Sequence, residues 1–210
     1  MDRDQSWQAI EQARRTLADL LAKLTDAEWD HPSLCAGWRV RDVAAHVAMA
    51  PQPPGPLTML VEAVRARGSF HRLNHDLAVR HADSPGVDLV AELREHASSR
   101  RLPPVTNYRN ILYDTLVHVQ DIAIPLGHVV PMPTAAARVG AERVWSMGWP
   151  FWARRRLAGF RLYATDVEWA AGSGPNEVYG PIDALLLLLT GRTAALNHLM
   201  GEGVDALAER

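Results

Sequence analysis

The stretch NYRNILYDTLVHVQDIAIPLG, Asn107 to Gly127, is the most regular in the chain. Ile111, Leu112, Leu116, Val119 and Ile122 recur at the three-and-four spacing that lines one face of an α-helix. Gly127 stands where a helix ends in a left-handed residue. The spacing predicts a helix from about Asn107 to Leu126. Asp114 and His118, four residues apart, project from it about one turn from each other.

Outward from this segment the first part of the chain reads as further helices separated by proline-rich breaks. Ile10, Ala13, Leu17, Leu20, Leu21 and Leu24 predict a helix over Trp7 to Leu24. After the break DHPSLCAGW (30–38), a short helix carries His46 on the face of Val43 and stops at PQPPGP (51–56). Leu57 to Arg67, Asp88 to Ser98 and Thr134 to Trp152 complete the helical pattern. Amphipathic helices with short connections predict an antiparallel bundle.

The texture changes near Phe160. FRLYATDVEW (160–169) alternates and is rich in aromatic and β-branched residues, as in a strand, and AGSGPNEVYG (171–180) is turn-like. Pro181 then opens the helix IDALLLLLT and Gly191 closes it. The expectation is a mostly α protein with a small α+β appendage: a helical bundle over 1–158 and a short C-terminal α/β domain over 159–210.

Composition narrows the function classes. Twenty-two basic against twenty-four acidic residues give a formal net charge of −2 with no extended basic run, which argues against a general nucleic-acid binder. Arg154, Arg155 and Arg156 cluster beside Trp149 and Trp152, a pattern of interfaces and helix ends. The single Cys35 rules out an internal disulfide and fits a reducing compartment. The charged start MDRDQSWQAIEQARR lacks a signal's apolar stretch, and the longest apolar run, Ala184 to Leu189, is too short to span a bilayer. The chain reads as cytoplasmic. A homodimer is compatible with a helical bundle bearing seven tryptophans.

Asp114 and His118 are half of a metal site, since divalent first-row metals accept nitrogen and oxygen ligands at about 2.0–2.2 Å. His46, from a facing helix, is the natural third ligand, and such a set keeps a coordination position open. Spacing alone equally describes a helix-stabilising surface pair. The apolar surroundings, Ile111, Thr115 and Ile122, favour the metal reading because an unpaired carboxylate there is costly. Asp121 is placed either to accept a hydrogen bond from an imidazole or to stand as an ordinary surface acid. A rival set, His71, His75, Asp76 and His81 in FHRLNHDLAVRH, is richer in ligand types but interleaved with Arg72, Asn74 and Arg80, which suits an exposed helix or loop. Cys35 reads as a small residue packed in a turn. No phosphate-binding glycine loop or serine triad motif is present.

SLCAGWRVRDVAAHVA (33–48), DTLVHVQDIAIPLG (114–127), LYATDVEW (162–169), GPIDALLLLLTGR (180–192) and GEGVDALAER (201–210), in this order, resemble the mycothiol-dependent maleylpyruvate isomerase family. The N-terminal part of that family belongs to the DinB-like metalloenzymes. The resemblance implies an up-and-down four-helix bundle binding a divalent metal, usually zinc. Its ligands are a histidine in a W-x-V-x-D-x-x-x-H segment and an acid and a histidine four apart; these fall on His46, Asp114 and His118. The family commonly has glutamate where this chain has Asp114. A catalytically important arginine of the C-terminal part matches Arg192 best. The family's C-terminal domain has several strands, and about fifty residues here allow fewer.

The implied chemistry uses mycothiol or a similar thiol as cosubstrate. The metal's charge stabilises the thiolate, which attacks an electrophilic carbon; addition to the double bond of maleylpyruvate, rotation and elimination yield fumarylpyruvate. In a thiol S-transferase the adduct is released instead. Arg192 or another pocket arginine would hold a substrate carboxylate. A non-catalytic metal-binding or regulatory bundle is the remaining alternative.

Overall fold

The computed structural model describes residues 1–53, 55–103 and 106–209. Pro54, within the predicted PQPPGP break, lies outside the described residues. The chain runs α1 (Arg3–Leu21), α2 (Asp26–Trp29), α3 (Val40–Met49), α4 (Pro56–Arg65), α5 (Phe70–Ala82), α6 (Leu89–Glu95), α7 (Tyr108–Ala123), α8 (Thr134–Ser146) and α9 (Ala153–Arg156). Then come β1 (Phe160–Ala164), β2 (Ala170–Gly172), β3 (Asn176–Gly180), α10 (Ile182–Leu189), a 3₁₀ turn (Thr193–His198) and α11 (Gly203–Ala208). The fold is mostly helical with a small C-terminal sheet.

Local chemistry sets the helix starts. The Asp2 carboxylate accepts from the Gln5 N–H at 2.8 Å while the Gln5 side chain accepts from the Asp2 N–H at 2.9 Å, a capping box that begins α1 before the predicted Trp7. Asn107 Oδ1 accepts from the Arg109 and Asn110 N–H groups and starts α7. α7 ends at Ala123, short of the predicted Leu126, and the chain turns through Gly127 at φ +71°.

α7 is the hub. It packs against α1, α3 and α8, and its residues divide between two apolar clusters. Ile111, Leu112, Leu116 and Val117 join Trp7 and Ile10 of α1, Ala137 and Ala141 of α8, and Leu185 and Leu186 of α10. Val119 and Ile122 join Leu17 and Leu21 of α1, Val43 and Val47 of α3, and Leu93 of α6. Asp114 and His118 sit on the same helix where one cluster gives way to the other.

α10 is buried from Ile182 to Leu189 except for Asp183, which explains its nearly continuous apolar sequence. It packs on α8 and on β1, so the C-terminal residues share a core with α1, α7 and α8. The sheet has order β2-β1-β3, with β1 antiparallel to β2 (Leu162 opposite Ala171) and parallel to β3 (Leu162 opposite Val178). At Gly172, φ is +86° and a Cβ would collide with the Phe160 carbonyl, so glycine is required there.

Two stretches differ from the sequence expectation. The turn-like AGSGPNEVYG completes β2 at Gly172 and contains β3, because residues 173–175 alone make the turn. The helix predicted over Thr134 to Trp152 stops at Ser146, ahead of Gly148 and Pro150, and α9 begins anew at Ala153. The histidine-rich segment takes the helical one of its two expected forms, α5, capped by Ser69 and packed on α3 with Ala78 buried. Of the clustered arginines, Arg156 serves a helix end: its Nη2 donates to the Leu188 and Leu189 carbonyls at the C-terminus of α10.

Candidate metal centre

α3 presents His46 to α7. Its Nε2 lies 3.4 Å from Asp114 Oδ2, and His118 Nε2 lies 3.4 Å from Asp114 Oδ1. The three ligand atoms fall within 4.8 Å of one another. Ligand atoms about 2.0–2.1 Å from a tetrahedral zinc stand roughly 3.4 Å apart, and each imidazole stands at that spacing from one oxygen of the Asp114 carboxylate. The side chains of His46, Asp114 and His118 keep 21, 32 and 13% of their surface exposed, which leaves one side open to a ligand. Trp38 supports the set, its ring meeting His46 edge-on at 5.8 Å between centroids.

Behind His118 lies a second layer of charge. Asp121, one turn further along α7, has no exposed side-chain surface, and its Oδ2 accepts from His118 Nδ1 at 2.8 Å. With Nδ1 as donor to Asp121, Nε2 is the ring nitrogen left to ligate. Arg192, from the turn after α10, donates Nε to Asp121 Oδ1 at 2.9 Å and Nη2 to Oδ2 at 2.7 Å. Cys35 donates its thiol to Asp121 Oδ2 at 3.1 Å, and the Leu34 N–H donates to the Asp121 carbonyl. The loop 33–38, α7 and the C-terminal segment therefore meet at one carboxylate.

The electrostatics follow from this packing. Burial alone would raise the Asp114 carboxyl, but His118 and His46 outweigh it and hold the group well below the usual carboxylate range. Burial likewise opposes charge on Asp121, and His118 and Arg192 overcome it, keeping that carboxylate ionised. Burial would lower His118, yet Asp114, Asp121 and the Cys35 contact raise it well above the ordinary imidazole value. Arg192 is raised by Asp121 against its own burial.

His46, Asp114 and His118 are thus brought together, and Arg192 approaches from the side of Asp121. The histidines of α5 disperse. His71 lies near Trp149, His75 Nδ1 contacts Asp76 at 3.1 Å and its ring meets Trp38, and His81 Nε2 contacts Glu92 at 2.7 Å. Among the described residues, the other convergent group of ligand types is Cys35, His118 and Asp121. There the guanidinium of Arg192 already occupies the carboxylate, so a cation would have to compete with it. The sequence alone reads Cys35 as a turn residue and fits Asp121 to either of two roles; the spacing of three between His118 and Asp121 is the signal that points to their contact.

Residues 10–123 match the family model described as the mycothiol maleylpyruvate isomerase N-terminal domain, more than half of the chain. The chain belongs to this family. The maleylpyruvate isomerase fold also extends over the C-terminal part. A crystal structure of the mycothiol-dependent maleylpyruvate isomerase aligns with 91% of this chain and 90% of its own at a TM-score of 0.60 and 16% identity. A histidine-to-alanine mutant of that isomerase aligns over the same shares at 0.59 and 14% identity. At these identities the likeness establishes the fold. A search of the curated proteins finds no match. No described helix is long and apolar enough to cross a membrane.

Proposed function

We propose that the protein is a metal-dependent enzyme that activates a low-molecular-weight thiol, mycothiol or a close analogue, for attack on an electrophilic substrate in the manner of maleylpyruvate isomerase. The observation that carries the reading is the convergence of His46, Asp114 and His118, whose ligand atoms lie within 4.8 Å of one another, in a family whose name specifies mycothiol and maleylpyruvate. These three residues would hold a divalent ion, with zinc the metal that suits two imidazoles and one carboxylate. Bound there, the ion supplies positive charge that favours the thiolate form of a thiol.

The chain's own residues do the rest. With a divalent ion bound, one carboxylate and two imidazoles in their neutral, ligating form would leave a single net positive charge, which attracts a thiolate. Asp121 fixes the ring of His118 through Nδ1. Trp38 packs on His46 and limits its rotation. The exposed edge of the three ligands is the side from which thiol and substrate enter. Arg192 is the contribution of the C-terminal segment to this centre.

The reading is tested with cobalt in place of zinc. Addition of mycothiol to the cobalt protein is expected to produce a sulfur-to-cobalt charge-transfer band, absent in His46→Ala, and maleylpyruvate is expected to turn over to fumarylpyruvate only with thiol present. A protein that retains metal but gives no spectral response to thiol would contradict the reading and leave a non-catalytic metal-binding bundle.

A further inference from the structure

We infer that Arg192 acts on the metal centre through Asp121 and His118, as a positioning residue, and not by holding a substrate carboxylate. The inference rests on the metal reading above. Its basis is the allocation of the guanidinium's donors. Nε and one Nη2 hydrogen form the side-on fork on Asp121 at 2.9 and 2.7 Å. The second Nη2 hydrogen points to Cys35 Sγ at 3.5 Å, and Nη1 donates to the Thr190 carbonyl at 2.8 Å. The side-on edge with which an arginine grips a carboxylate is therefore already filled by one from the protein itself, and the end-on edge keeps only one Nη1 hydrogen for any other partner.

Asp121 is equally committed. Oδ1 accepts from Arg192, and Oδ2 accepts from Arg192, His118 and Cys35, with none of the side chain exposed. A buried carboxylate needs such partners to stay ionised and in place. While Arg192 holds both oxygens, Oδ2 stays aimed at His118 Nδ1 and the His118 Nε2 edge stays turned toward Asp114 and His46. Arg192 follows α10, 71 residues beyond Asp121 in sequence. The C-terminal segment is thus tied to the orientation of a ligand on α7, which gives that segment a role in building the centre itself.

The test is zinc affinity by competition with a chromophoric chelator in the full chain, for wild type, Arg192→Met, Arg192→Lys, Asp121→Asn and the double variant Arg192→Met/Asp121→Asn. Each of Arg192→Met and Asp121→Asn is expected to weaken zinc about 10- to 100-fold, the usual effect of removing a group that orients a ligand. The double variant is expected to bind no more weakly than the poorer single variant, because both act through His118. Arg192→Lys keeps the charge but loses the fork and is expected to recover only part of the affinity. Where Arg192→Met fails to fold by far-UV circular dichroism, Arg192→Lys and Asp121→Asn carry the comparison.

Turnover supplies the second readout. Excess zinc is expected to restore the activity of Arg192→Met. Wild-type zinc affinity in Arg192→Met, losses that multiply in the double variant, or a raised KM that excess zinc leaves unchanged would overturn the inference. Failure of the wild type itself to take up zinc would instead overturn the metal reading on which it rests.

Discussion

Helices α5 and α7 carry the same device in sequence, ligand-type side chains four residues apart, and only one of them becomes a centre. α5 has the richer set, His71, His75, Asp76 and His81. Each of those histidines finds a separate neighbour: Trp149, Asp76 with Trp38, and Glu92. α7 offers only Asp114 and His118, yet α3 lays His46 against them and Asp121 with Arg192 backs them. A pair on one helix supplies two ligands at most; the third must come from a facing element, and the backing charge from another.

The sharpest way to break this contrast is to remove the backing charge. Asp121→Ala leaves Arg192 buried without its counter-ion, and denaturant unfolding of the apo protein is expected to show a loss of about 3–5 kcal/mol. The equivalent deletion on α5, His81→Ala, removes a contact to Glu92 whose partners are 27 and 24% exposed. That change is expected to cost less than about 1 kcal/mol in the same measurement. Equal losses at the two sites would erase the distinction between a built centre and dispersed surface pairs.

The ligand set itself can be sharpened. Asp114→Glu, which places the residue common in the family, is expected to keep zinc with affinity within about tenfold of wild type, near 1.4 kcal/mol. Asp114→Ala is expected to lose the metal, as read by chelator competition. The smallest effect belongs to His75→Ala: its ring meets Trp38 in the loop before α3 and it is not among the convergent ligand groups, so metal content is expected to stay unchanged, with a stability change of only a few tenths of a kcal/mol, in the ordinary range for surface substitutions.

Much of this was legible in the chain. The period of Ile111, Leu112, Leu116, Val119 and Ile122 marks α7, and the W-x-V-x-D-x-x-x-H segment ending at His46 marks α3. What single-residue patterns could not carry was long-range. The burial of Asp121 depends on Arg192 arriving from 71 positions away, and the contact of Cys35 depends on the loop 33–38 folding over α7. The sequence allowed α5 as an exposed helix or a loop, and its packing on α3 was the part it did not carry. β3 was hidden because Asn176, Glu177 and Gly180 are poor strand formers, and its pairing with β1 overrides them. Two features of the family resemblance, the small residue Asp114 at the ligand position and the short C-terminal part, are reconciled by the same geometry: the carboxylate stands 3.4 Å from both rings, and the short segment still delivers Arg192 to Asp121.

The most direct measurement of the central claim is metal content by elemental mass spectrometry on tag-free protein, with His46→Ala, Asp114→Ala, His118→Ala and His75→Ala prepared in parallel. The account predicts about one zinc or similar divalent ion per chain in the wild type and in His75→Ala, and loss of it in the other three. A wild type that binds no metal after reconstitution, or a His75→Ala protein that loses it while His46→Ala retains it, would contradict the account.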